Sequence, residues 1–166
     1  MPSNTRLISS FEVTHGKLPH WEGVGAAYFV CLAVRKPAVV DLTSPEIGPI
    51  VVAALRHQDG AQYLLFDYVV MPDHLHMILR PATADGTSER VTTILHDLKH
   101  WLAHAINRQV GRRGPLWQVE SYYHMLRNYD DYLEKARYIY ENPLRAGLVD
   151  DPARWPWWGQ GSGVHG

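Results

Sequence analysis

The sequence has 166 residues, enough for one domain of ordinary size with a real core. It is 46% hydrophobic and 20% charged, which excludes a disordered segment, and its single cysteine, Cys31, excludes a disulfide framework or a cysteine-based zinc finger. The apolar runs are short and interrupted by charge, so neither a membrane span nor a signal peptide is expected, and the cytoplasm is the default location.

The net charge is −1 with the ten histidines neutral, which argues against a protein that grips duplex DNA by bulk charge. The average conceals a gradient. Residues 1–89 carry 6 basic and 9 acidic side chains, whereas residues 90–145 carry 9 basic and 6 acidic ones. A polyanion is therefore expected to meet the C-terminal half.

In chain order, residues 1–25 are rich in Pro, Gly and His and read as irregular. AAYFVCLAV (26–34) is an apolar, β-rich run closed by Arg35, Lys36 and Pro37. SPEIGPIVVAALRH (44–57) turns apolar at helical spacing, with Gly48-Pro49 predicting a late start. QYLLFDYVVM (62–71) is aromatic and β-branched, hence a strand. Pro72-Asp73 then predicts a turn into a second strand, HLHMILRP (74–81). Residues 82–88 read as a loop, and residues from about Glu89 to Val110 as a helix ended by Gly111-Arg-Arg-Gly114-Pro115. LWQVESYYHMLR (116–127) is strand-like. Asn128 is a suitable N-cap for a helix to about Glu141, with Asn142-Pro143 as its stop. The segment 151–166 is Trp-rich, predicted to dock through Trp155, Trp157 and Trp158 and then to fray into glycine. The order β-α-β-β-α-β-α predicts an α+β domain over 26–150 of the split βαβ, or ferredoxin-like, type. Its antiparallel sheet would have helices on one side and an added C-terminal helix.

Three groups of residues could do chemistry. His74 and His76 alternate around Leu75, so on a strand both imidazoles share a face. They read either as a chelating pair for one divalent ion or as a half-exposed polar face. In KARYIYENP (135–143), Tyr138 and Asn142 are four apart and share a helix face, while Tyr140 points to the opposite side. A tyrosine working beside an amide is therefore Tyr138, and the alternative is that all these tyrosines are packing. His96, His100 and His104 form an i, i+4, i+8 ladder without an HExxH, read as a solvated or polyanion-facing stripe, a packed stripe or a metal site. No Gly-rich phosphate loop occurs, so no nucleotide cofactor is implied, and no GxSxG occurs. Cys31 lies within an apolar strand and reads as inert core.

The stretches LPHWEGVGAAYFV (18–30), YVVMPDHLHMILRP (68–81), GPLWQVESYYHMLRN (114–128) and YIYENPLRAGLV (138–149), in that order, resemble the REP-associated tyrosine transposases. These are single-tyrosine His-hydrophobic-His (HUH) transposases of the insertion-sequence type. The resemblance runs from about Leu18 to Trp157. It implies a ferredoxin-like domain, with the tyrosine on its added C-terminal helix, acting on single-stranded DNA folded into REP-like hairpins. It also implies His74, His76 and Asn142 as ligands of Mg²⁺ or Mn²⁺, Tyr138 as nucleophile, and nicking and joining through a 5′-phosphotyrosine link. Asp73 stands where relatives often have Asn. Lys99, Arg108, Arg112, Arg113, Arg127 and Arg145 are candidate phosphate contacts, and Trp117, Tyr122 and Tyr123 are either base-stacking platforms or core. His124 is a weak candidate general base. A monomer is favoured over a homodimer. The alternatives are a REP-hairpin binding protein that no longer cuts, with a regulatory role, and a metal hydrolase centred on the His96 ladder.

Overall fold

The computed structural model describes Phe11, residues 25–82 and residues 88–164. The expected irregular segment 1–25, the loop after residue 82 and the start of the first family-like stretch therefore lie largely outside the described residues.

Five strands form one antiparallel sheet: β1 Ala27–Ala33, β2 Tyr63–Val70, β3 His74–Pro81, β4 Tyr122–Leu126 and β5 Trp158–Gln160. Their order across the sheet is β4-β1-β3-β2-β5, and every neighbouring pair is antiparallel. Helices α1 (Gly48–His57), α2 (Ser88–Val110) and α3 (Tyr129–Arg145) complete an α+β fold compatible with the split βαβ arrangement. No helix of the described residues is long and apolar enough to cross a membrane.

Alternation along the strands supplies two cores. Tyr28, Val30 and Leu32 of β1 and Leu75, Met77 and Leu79 of β3 pack with Val51 and Leu55 of α1 and Ile94, Leu98 and Leu102 of α2. The other face carries Phe29 and Ile78, covered by Tyr132, Ala136, Ile139 and Tyr140 of α3. α1 and α2 thus share one side and α3 has the other. A register shift in β2 between Leu65 and Tyr68 spans Phe66 and Asp67. Asp67 is fully buried there; the Tyr132 hydroxyl of α3 donates to its carboxylate, and the Gln160 amide of β5 donates from 3.3 Å. This polar tie joins α3, β2 and β5.

Three segments depart from the sequence expectations. Only the second half of 116–127 is strand. Leu116 and Trp117 are drawn into the core, and Gln118 N–H donates to the Ala33 carbonyl (2.8 Å). The Lys99 ammonium then collects the carbonyls of Gln118 (2.8 Å) and Val119 (3.3 Å) and the Ser121 hydroxyl (3.0 Å), pulling the segment toward α2.

α3 starts at the expected cap, where the Asn128 side chain accepts from Asp131 N–H (2.9 Å). It does not stop at Asn142-Pro143 but continues to Arg145. Pro143 lacks only its own N–H, and the carbonyls beyond it are met by Leu148 N–H to Pro143 (2.9 Å) and Gly147 N–H to Leu144 (3.0 Å). Gly147 has φ +74°, which makes this a Schellman ending.

The tryptophans dock as expected, but Gly159, Gly161 and Gly163 after them are not frayed. β5 pairs with β2, Trp155 Nε1 donates to the Val70 carbonyl (3.0 Å), and Gly161 and Gly163 N–H groups donate to Phe66 and Leu65 carbonyls (both 2.7 Å). A Cβ at residue 161 would lie 2.6 Å from the Leu65 carbonyl oxygen, so glycine is what permits this approach. Edge pairing of a Gly-rich run has no periodic apolar signature to read.

Candidate active site

The β2–β3 hairpin turns through Pro72-Asp73, closed by Met71 N–H to the His74 carbonyl (2.8 Å). Val34 and Leu42 N–H groups donate to the Asp73 and Pro72 carbonyls (2.9 and 2.8 Å), pinning the tip. β3 leaves this turn with His74 and His76 on the α3 face, their ring centroids 4.9 Å apart. Register places Ala33 opposite His74 and Cys31 opposite His76. On the other side of β1, Tyr122 lies opposite Cys31 and His124 opposite Phe29. Cys31 is therefore half-buried on the site face rather than in the core, and burial with the nearby Asp73 charge pushes its thiol up to about 11.

α3 brings Tyr138 over this floor. Its ring meets His76 edge-on at 5.4 Å and Phe29 at 6.0 Å. Phe29 is a hub, stacked on His76 at 5.2 Å and tilted against His124 at 5.5 Å. Asn142 is buried one turn beyond Tyr138 on the same helix side. Tyr140 points away, into Phe11 and Trp158.

The two histidines differ. His74 is half-exposed, and its Nδ1 lies 2.7 Å from an Asp73 carboxylate oxygen, which assigns the proton to Nδ1 and leaves the Nε2 lone pair free. The same hydrogen bond is the main reason the Asp73 carboxyl is held below the usual range. His76 is only 6% exposed, and neither ring nitrogen has a hydrogen-bond partner among the described residues. Burial pushes its pKa down to about 3, with His74 and Lys135 lowering it further and the Val30 backbone opposing from outside bonding geometry. His76 is therefore neutral, with a lone pair to give. His124 is likewise lowered, by burial and then Lys135 against Asp131, and its Nδ1 is buried without a partner.

Two orphaned buried nitrogens on His76, an oriented His74 and a buried amide one turn from Tyr138 fit a divalent cation. The described residues contain no group of three His, Cys, Asp or Glu side chains that could hold one. A third ligand would have to come from outside those residue types, and Asn142 is a buried amide on the Tyr138 side of α3.

The expected phosphate contacts are scattered. Arg145 lies at the site, its guanidinium 5.3 Å from the Tyr138 ring centroid and bound to Glu141 (2.9 Å). Arg127 is exposed at the β4–α3 junction, lining a cleft with His124, Asn128, Asp131 and Lys135. Lys99, Arg108, Arg112 and Arg113 belong to α2 and the turn after it, on the opposite side of the sheet. Lys99 is occupied as described, and Arg112 locks the turn through Asn107 (3.0 Å) and the Pro115 carbonyl (2.8 Å). Of the aromatics, Trp117 is core, Tyr123 packs on Tyr28, and Tyr122 is 58% exposed on the site face. The ladder histidines His96, His100 and His104 are exposed on α2. Sequence reasoning passed over Phe29 and Lys135. The signals were present: Phe29 shares strand parity with Cys31, and Lys135 is three residues before Tyr138.

No family model matches the chain. In sequence it is similar to a REP-associated tyrosine transposase of Escherichia coli, 32% identical over 90 residues covering 54% of this chain and 49% of that protein. It is also similar to a candidate REP-associated tyrosine transposase of Haemophilus influenzae, 28% identical over 94 residues and 53% of each chain. The chain thus spans about half the length of the curated relatives it matches. In fold it is similar to the structure of a REP-associated tyrosine transposase bound to a REP hairpin, with a TM-score of 0.63 and 23% identity over 86% of this chain and 81% of that one.

Proposed function

We propose that the chain is a REP-associated tyrosine transposase, a metal-dependent enzyme that nicks and rejoins single-stranded DNA carrying REP-type hairpins. The observation that carries this reading is the Tyr138 ring 5.4 Å from a buried, neutral His76 whose nitrogens are unpartnered, with His74 beside it. Similarity to the two transposases, and the hairpin held by the structural relative, support the substrate class.

His74 through Nε2, His76 and the Asn142 carbonyl would hold Mg²⁺ or Mn²⁺. Bound there, the ion would polarise the scissile phosphate and offset its charge. The remaining chemistry belongs to the chain. α3 presents the Tyr138 oxygen to the phosphorus, and Phe29 fixes the ring from below. The phenol loses its proton as the new P–O bond forms, and the departing 3′ oxygen takes one up as a 3′-OH. The resulting 5′-phosphotyrosine conserves the energy of the broken bond, so an incoming 3′-OH can reverse the step without ATP. Since His76 and Tyr138 meet within one chain, a monomer suffices.

The test is a denaturing gel of protein incubated with a labelled single-stranded REP-hairpin oligonucleotide and Mn²⁺. A slow covalent protein–DNA band, lost with EDTA, is expected. Tight binding to several hairpins with neither adduct nor cut would instead support the regulatory hairpin-binding protein.

A further inference from the structure

Lys135, Tyr138, Asn142 and Arg145 lie three, four and three residues apart, which makes one stripe along α3. Both ends of the stripe are cationic and both face the Tyr138 ring. Arg145 Cζ is 5.3 Å and Lys135 Nζ 5.8 Å from its centroid. Their surroundings differ. Glu141 meets the Arg145 charge at 2.9 Å, whereas among the described residues no carboxylate lies within 4.0 Å of Lys135. Asp131, one turn back, instead accepts from Arg127 N–H (3.0 Å). Lys135 Nζ sits 5.1 Å from the Phe29 centroid, and its charge is felt at both His76 and His124. Phe29, Tyr138, His76 and His124 are therefore its neighbours on the site side, and Asp131 and Glu134, which share the adjoining cleft, form no ion pair with it within 4.0 Å. A half-buried ammonium held over aromatic faces without a counter-ion is arranged to receive an anion.

We propose that Lys135 is a catalytic residue whose ammonium takes a non-bridging oxygen of the phosphate attacked by Tyr138. It balances the negative charge that accumulates as the Tyr138–phosphorus bond forms and the bond to the 3′ oxygen breaks. Lys135 keeps its proton throughout; the phenol proton leaves to solvent and the 3′ oxygen is protonated from solvent. Arg145, already compensated by Glu141, orients the ring from the other end. The inference rests on the proposed transesterification.

The test compares wild type with Lys135→Met, which keeps the apolar stem, and Lys135→Arg, which keeps the charge. Two quantities are read on a single-stranded REP-hairpin oligonucleotide: the single-turnover adduct rate at saturating DNA with Mn²⁺, and the salt dependence of binding without metal. Lys135→Met should slow the adduct step by roughly 10²–10³-fold, and Lys135→Arg should recover at least tenfold of that. The salt slope of Lys135→Met should fall by about 0.7, one phosphate contact on a single strand. A Lys135→Met rate within about threefold of an active wild type overturns the role of Lys135 and leaves the transposase reading intact. No adduct from wild type overturns the transposase reading and with it the catalytic role, whatever the salt slope shows.

Discussion

The buried carboxylate of Asp67 offers a sharp test of how α3 is held. Its partner on the helix is the Tyr132 hydroxyl, fully buried and six residues before Tyr138. Tyr132→Phe removes one oxygen and leaves the ring, which packs on Phe66 at 5.6 Å, so no cavity opens. What is lost is a hydrogen bond to a buried carboxylate, worth about 1.5–3 kcal/mol, while the Gln160 amide at 3.3 Å stays. At roughly 2–4 °C per kcal/mol for a domain of this size, the midpoint should fall by about 3–12 °C. Calorimetry of Tyr132→Phe, Asp67→Asn and the double variant reads this directly. Asp67→Asn removes the charge that needs the hydroxyl, so the double variant should be less destabilised than the two singles sum to, by about 1 kcal/mol or more. A Tyr132→Phe loss below about 0.5 kcal/mol, or strict additivity, would refute the claim that this bond fastens the helix.

Burial raises the phenols of Tyr132 and Tyr63 well above their ordinary value. A raised folded-state value means the stability these two phenols contribute is fully present below about pH 10 and lost as pH rises beyond it, with a slope approaching two protons, ~2.7 kcal/mol per pH unit, to which the raised Cys31 thiol adds from lower pH. Alkaline denaturant titrations should show this slope, and Tyr63→Phe should lower it by about one proton. Lys99→Met should cost about 1–3 kcal/mol through the carbonyls it releases, with hairpin affinity within about twofold of wild type; a tenfold affinity loss at unchanged stability would make Lys99 a DNA contact after all. Asp73→Asn weakens the acceptor that orients His74, so Mn²⁺ affinity by titration calorimetry should drop about 10–100-fold, and an unchanged affinity would reduce Asp73 to a turn residue.

The elements legible in the sequence were those with a strong period or a cap. β3 begins at His74 because Pro72, with no N–H to give, turns the chain with Asp73, and α3 begins after Asn128 because its side chain serves an orphan N–H. The shared helix side of Tyr138 and Asn142, and the packing of Tyr140 on another side, follow from helical spacing alone. What escaped was decided by contacts distant in the chain. Pro143 is carried through because Gly147 and Leu148 close the Schellman ending beyond it. Lys99 reads as a candidate phosphate contact until the 116–121 segment folds over it. β5 exists because glycines let residues 159–163 lie against β2. For the site, the histidine pair was visible as a local string. The hub made by Phe29, and the uncompensated Lys135, needed two further strands and a helix to be placed together.

The most direct measurement is the identity of the residue that joins DNA. Wild type, Tyr138→Phe and Tyr140→Phe would be incubated with a REP-hairpin oligonucleotide and Mn²⁺, digested, and the nucleotide-bearing peptide sequenced by mass spectrometry. The account predicts a phosphotyrosine at Tyr138 in wild type and Tyr140→Phe, and no adduct from Tyr138→Phe. An adduct on Tyr140, or one that persists in Tyr138→Phe, would contradict it.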